Sequence, residues 1–146
     1  HKSKFTLQGE TFVTAEQYMM YQKALLFNDK VNAANIIATE DPKEQKGFGR
    51  QVANFDTKIW EQHREKIVYT GNLAKFSQDK ELLALILDDK YKDVEFVEAS
   101  PYDTIWGIGL REEDPDAQDK NKWKGLNLLG IIISQVRDEL RKQHKG

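Results

Sequence analysis

The sequence predicts a mainly α fold, α+β only through a short β-hairpin and one further strand. Three observations carry that prediction. Capping residues mark helix starts at Thr14, Asp41, Asp56 and Asp79. Apolar residues recur at helical spacing behind most of them. Tight-turn chemistry between alternating segments occurs at Gln8-Gly9. The 146 residues, 39 % hydrophobic and 32 % charged, suit one compact multihelical domain spanning 1–146.

Taken in order, Phe5 to Phe12 alternates around Gln8-Gly9 and reads as a hairpin. Thr14 with Gln17 forms a capping box, the Thr hydroxyl taking an N–H and Gln17 reaching back. The helix that follows, to Phe27, carries Tyr18, Met19, Met20, Leu26 and Phe27 and is apolar nearly all round, so it is expected to be buried. A second helix is expected over 31–39, with Val31, Ala34 and Ile37/Ala38 inward. Asp41-Pro42-Lys43-Glu44 starts a short third helix that ends in Gly47-Phe48-Gly49-Arg50. Asp56 caps a long helix over 57–78, which Gly71 is expected to bend, and Asp79 caps another from 80 to about 88. Val94 to Glu98 alternates like a strand, 99–110 is a loop punctuated by Pro101 and two glycines, and 111–124 is a polar surface loop. The last helix is expected over 125–143, with Leu129, Ile132, Ile133, Val136 and Leu140 on one face.

Composition narrows the function. A net charge of −2 gives no global attraction to duplex nucleic acid, but a small polyanion needs only a local basic pocket. With no Cys, thiolate and disulfide chemistry are excluded and a cytoplasmic setting is expected. Three His, two of them near the ends, do not suggest a metal site. No apolar run reaches the length of a membrane span.

Polar residues planted among core positions are the candidates for chemistry. Glu16 and Lys23 lie seven residues apart, two helical turns, hence on one face. Lys46 and Arg50 are a turn apart beside Gly47 and Gly49, suited to a phosphate. Trp60 and Trp106 offer flat rings, Asp103 sits in the glycine-flanked loop with Gly107, and Asn127 opens the last helix, whose free N–H groups favour anions. Each has a plainer reading. A first-turn carboxylate is favoured by the helix dipole, a lysine can snorkel, an Asp can hold its own turn, and Trp is more often core. Arg137 reads as structural and His63 as surface.

Together these residues resemble the YbiA-like, or NADAR, family nearly end to end. The landmarks are Thr14-Ala-Glu-Gln-Tyr-Met-Met, Lys23-Ala-Leu-Leu-Phe, Lys46-Gly-Phe-Gly-Arg, Phe55-Asp…Trp60, Gly71-Asn-Leu-Ala-Lys-Phe, Val97-Glu-Ala-Ser-Pro-Tyr-Asp-Thr-Ile-Trp-Gly-Ile-Gly-Leu and Trp123-Lys-Gly-Leu-Asn-Leu-Leu-Gly. The family's Phe-Ser-Asn-type segment before the first strand has no counterpart here, and the family's usual His is Gln17.

The resemblance implies an N-glycosidase that cuts ribose C1 from an amine nitrogen, without cofactor or metal. Two substrate classes follow from it: guanine carrying ADP-ribose, alone or in single-stranded DNA or RNA, and phosphorylated ribosylamino-pyrimidines of riboflavin synthesis. It implies catalytic roles for Glu16, Lys23 and Asp103, and base or sugar contacts from Trp60, Trp106, Gly107, Tyr18 and Asn127. Phosphate would fall to Lys46 and Arg50, and a toxin–antitoxin association is expected. A reading from another class is a non-catalytic ADP-ribose or nucleotide-binding module in which Glu16 and Lys23 simply pair. A third is a purely structural helical domain.

Overall fold

The computed structural model describes residues 3–144. The chain divides into two compact units, His1–Leu85 and Ile86–Gly146.

The first unit opens with β1 (Phe5–Leu7) and β2 (Glu10–Phe12), an antiparallel pair with Phe5 opposite Phe12. Gln8 and Gly9 both have positive φ, the geometry of the two-residue turn that matches strand twist. Four helices follow: α1 (Ala15–Leu26), α2 (Lys30–Ala38), α3 (Pro42–Arg50) and α4 (Thr57–Gln78). Thr14, Asp29, Asp41 and Asp56 each accept a backbone N–H from their helix's first turn. Phe5, Phe12, Tyr18 and Ala74 form one core cluster, and Ala24, Phe27, Ala33, Ile36 and Val52 another. The boundary between the units falls in the last turn of α5 (Lys80–Leu87).

Three first-unit expectations need correction. Gln17 reaches back one residue earlier than a capping box requires: its Oε1 accepts from the Val13 N–H at 2.7 Å. Its Nε2 donates to the Ile36 and Thr39 carbonyls, so this buried amide ties α1 to the end of α2. In α2 the inward residues are Ala33 and Ile36, whereas Val31 is 72 % exposed. Asp29 caps that helix and fixes its phase, which periodicity over nine mostly small residues left undetermined. Finally, α1 is not buried all round, since Glu16 and Leu25 lie at the surface.

The second unit contains α6 (Leu128–Gln143), with short 3₁₀ turns at Asp89–Tyr91, Pro115–Gln118 and Lys120–Lys122. Ile132, Val136 and Leu140 are buried along α6, as their spacing predicts. The segment 94–98 is not a strand. Its backbone groups are met by side chains instead: the Phe96 N–H donates to Ser134 Oγ, the Glu98 N–H to Asn127 Oδ1, and Asn127 Nδ2 to the Phe96 carbonyl. Alternation predicts a strand here, but among the described residues no strand pairs with it. Arg137, 7 % exposed, donates to the Tyr91 and Val94 carbonyls and to Asp138, a structural role.

Candidate active site

The first unit carries a polar stripe on α1, Glu16–Met20–Lys23. α3 lies against it. A Cβ added at Gly49 would come within 3.2 Å of Met20 Cγ and Sδ, so the missing side chain lets the helices approach there. One turn earlier on α3, Lys46 Nζ stands 4.0 Å from Glu16 Oε2. Both side chains are largely exposed, 51 % and 66 %, and a pair of that kind is worth little to stability. It nevertheless places an ammonium beside the carboxylate at the mouth of the stripe. Arg50, at the end of α3, is exposed.

Lys23 has a different environment. Its Nζ stands 4.6 Å from the centre of the Phe55 ring and 5.9 Å from that of Trp60. Burial lowers its pKa from the usual lysine value, which enlarges the neutral, nucleophilic fraction. Glu16 and Lys23 are about 10 Å apart along the helix axis. Among the described residues, the ion pair of Glu16 is with Lys46, not Lys23.

Trp60 is half-buried against the Phe27–Ile36 cluster, so part of its ring belongs to the core. Tyr18, 3 % exposed, is spent on packing. Its ring meets Phe12 edge-on at 5.1 Å and covers Gly71, where a Cβ would lie 2.6 Å from Tyr18 Cδ2. Burial raises the Tyr18 phenol pKa. Gly71 thus serves close helix packing.

Two residues stood in the landmark motifs without a role assigned to them. Phe55 was visible only as a landmark before the Asp56 cap. Lys75 lies one turn beyond Gly71, on the α4 face that packs against α1. Burial pushes its pKa down, while the charges of Glu16 and Asp79 push it back up. The four-residue interval from a glycine in a helix contact was the available signal for Lys75.

In the second unit, Asp103 Oδ1 accepts from the Ile105 and Trp106 N–H groups at 3.0 and 2.8 Å, so the carboxylate shapes the loop that carries Trp106. Oδ2 takes no part in that turn. Gly107 is buried, and a Cβ there would lie 2.7 Å from the Glu98 carbonyl oxygen. Asn127 has φ 54° and is 1 % exposed, its amide committed to 96–98. The anion role expected for its helix end loses donors, because the Leu128 and Leu129 N–H groups donate to the Ile105 and Trp106 carbonyls. Asn127 in the left-handed conformation also starts α6 three residues later than expected. Among the described residues, no group of three or more His, Cys, Asp or Glu side chains is placed to hold a metal, and no helix is long and apolar enough to cross a membrane.

A profile of the NADAR domain matches residues 1–141. The chain belongs to the NADAR family. It is 44 % identical over 136 residues to an N-glycosidase of Acanthamoeba polyphaga mimivirus, covering 91 % of this chain and 79 % of that relative. It is 38 % identical over 131 residues to protein irg-1 of Caenorhabditis elegans, covering 88 % of this chain and 61 % of that one. The solution structure of Escherichia coli YbiA superposes with a TM-score of 0.76 at 28 % identity, over 96 % of this chain and 74 % of YbiA. YbiA itself carries the name N-glycosidase. The mainly helical NADAR fold with its small hairpin, expected from the motifs, is therefore the fold observed. The relatives' names support an N-glycosidase activity in the family.

Proposed function

We propose that this NADAR protein is a metal-independent N-glycosidase that removes ADP-ribose from the exocyclic amine of guanine, in a nucleotide or in single-stranded nucleic acid. The observation that carries the reading is Lys23: a half-buried amine with a lowered pKa, held by two aromatic rings and sharing a helical face with Glu16.

An N-ribosyl amine can open at the sugar. The C1–O4′ bond breaks, O4′ takes a proton from solvent water, and a protonated imine that keeps its N–H forms between C1 and the base nitrogen. Neutral Lys23 adds to C1, and the C1–N bond to the base breaks as that nitrogen takes up the proton lost by the lysine. Water then hydrolyses the lysine imine and returns the free amine and a ribose aldehyde. Glu16 stabilises positive charge at C1 and carries the proton from amine to leaving nitrogen. Trp60 walls the sugar on one side, and Lys46 and Arg50, a turn apart on α3, take the phosphates. The paired reading, in which Glu16 merely neutralises Lys23, gains no support from the ion pair of Glu16 with Lys46.

The test is release of base, followed chromatographically, from ADP-ribosylated guanosine and from a phosphorylated ribosylamino-pyrimidine. Release from the first and not the second supports the assignment. Release only from the second moves the enzyme to the pyrimidine class. Binding of ADP-ribose with neither compound cleaved would make the protein a binding module.

A further inference from the structure

Phe55 is 43 % exposed, although it packs on the buried Phe27 ring at 5.3 Å. A half-open phenylalanine is ordinarily a neutral surface feature. Its backbone is anything but loose. On one side, Asp29 Oδ2 accepts from the Ala53 N–H at 2.8 Å, Asn32 Nδ2 donates to the Gln51 carbonyl, and Val52 is buried in the core cluster. On the other, Asp56 Oδ1 accepts from the Lys58 and Ile59 N–H groups and fixes the start of α4. Between these two anchors Asn54 takes φ 58°, a conformation open to few residue types, which sets the direction in which Phe55 leaves the chain. Phe27 then supports the ring, and the Lys23 ammonium stands 4.6 Å from its centre.

We propose that Phe55 is a positioning residue for Lys23: its ring face, with Trp60 behind, holds the ammonium at the site and lets it go when it loses its proton. The physical basis is that a ring quadrupole attracts a cation and has no comparable attraction for a neutral amine. Burial alone favours the uncharged form, and the two rings partly compensate by accepting the charged one. The resting amine is therefore parked in a defined place, and the neutral nucleophile is free to swing to C1. This inference rests on the reading of Lys23 as the nucleophile for its functional meaning, but not for its geometry. The elements packed against α1 carry several charged groups, among them Lys46 and Arg50 on α3 and Lys75 on α4, with Glu16 on α1 itself. None of them contributes to the lowering at Lys23, which comes from burial.

The test labels lysine amines by reductive ¹³C-methylation and follows Lys23 by NMR, its signal identified by loss in Lys23→Arg. In the parent protein the methyl signal should be displaced upfield by the Phe55 ring. Phe55→Met, which keeps apolar bulk without a π face, should abolish that displacement and move the Lys23 titration midpoint down by about half a pH unit. Phe55→Tyr should restore both, and both variants should melt near the parent temperature, because the side chain is half-open. Borohydride trapping with substrate should slow in Phe55→Met through kcat rather than KM. An unshifted signal in the parent, or a Phe55→Met midpoint at or above the parent's, overturns the proposal. A normal NMR signature with no trapping in any form leaves the positioning intact and instead removes the covalent role of Lys23.

Discussion

The contact between α1 and α4 sets the spacing of the proposed site and is open to a quantitative test at Gly71. An alanine Cβ there would lie 2.6 Å from Tyr18 Cδ2 and 3.3 Å from Cγ and Cε2. Ordinary carbon contacts are about 3.5–4.0 Å, so ring or helix must move by about 1 Å. The ring has little room, because Phe12 closes on it edge-on and Phe5 lies 6.3 Å away. Overpacking of this kind costs about 1–3 kcal/mol. Replacing a mid-helix Gly by Ala returns about 1 kcal/mol through helix propensity. The clash lies at the severe end, so Gly71→Ala should destabilise by about 1–2 kcal/mol net. Urea unfolding of four proteins measures it: parent, Gly71→Ala, Tyr18→Ala and the double variant. With the Tyr18 ring gone the clash disappears, and Gly71→Ala should change sign and stabilise by up to about 1 kcal/mol. The same helix shift would move Lys23 away from Trp60, so kcat for Gly71→Ala should fall by up to about a hundredfold at temperatures where it is fully folded. An equal effect of Gly71→Ala in both backgrounds, or stabilisation in both, would refute the packing argument.

Other expectations follow from single contacts. Lys23→Met should melt a few degrees higher than the parent while losing turnover: a lysine whose pKa is lowered by burial costs stability while charged, and that cost fades only as pH rises through the folded-state value. Asp29, Asp79 and Asp89 have lowered pKa values, through the Ala53 N–H, the Ser3 hydroxyl and Arg141 respectively. Their contribution is present at neutral pH and lost as pH falls through the folded-state values, below the usual aspartate range, so Asp29→Asn should flatten the acid limb of a melting-temperature profile. Arg137→Met should cost the second unit about 1–3 kcal/mol in urea unfolding by stranding the Tyr91 and Val94 carbonyls. Asp103→Asn keeps an acceptor for the Ile105 and Trp106 N–H groups, so it should melt like the parent; a large loss of base release in that variant would mark the remaining oxygen as functional.

What the sequence could and could not disclose divides along physical lines. Short-range chemistry was legible. Gln8-Gly9 demanded a tight turn, and Asp41-Pro42 and Asp56 marked where α3 and α4 begin. Long amphipathic spacing also sufficed for the buried face of α6. Features decided by a distant partner were not legible. Val94–Glu98 has strand alternation, but whether a strand forms depends on a neighbour, and its partners proved to be Asn127 and Ser134. The phase of α2 followed the Asp29 cap rather than its weak periodicity. At the candidate site, the shared face of Glu16 and Lys23 followed from seven-residue spacing alone. Their unlike environments did not, because those depend on Lys46 meeting one and Phe55 the other from different elements. The same holds for Lys75, whose relation to Glu16 arises only once α4 packs against α1.

The most direct measurement of the central claim is the intact mass of the protein after borohydride reduction in the presence of ADP-ribosylated guanosine, with peptide mapping of any adduct. A gain equal to one reduced ADP-ribosyl group, mapped to Lys23, absent in Lys23→Arg and built up more slowly in Glu16→Gln, is the predicted result. Base release at the parent rate by Lys23→Arg, with no adduct on any lysine of the parent protein, would contradict it.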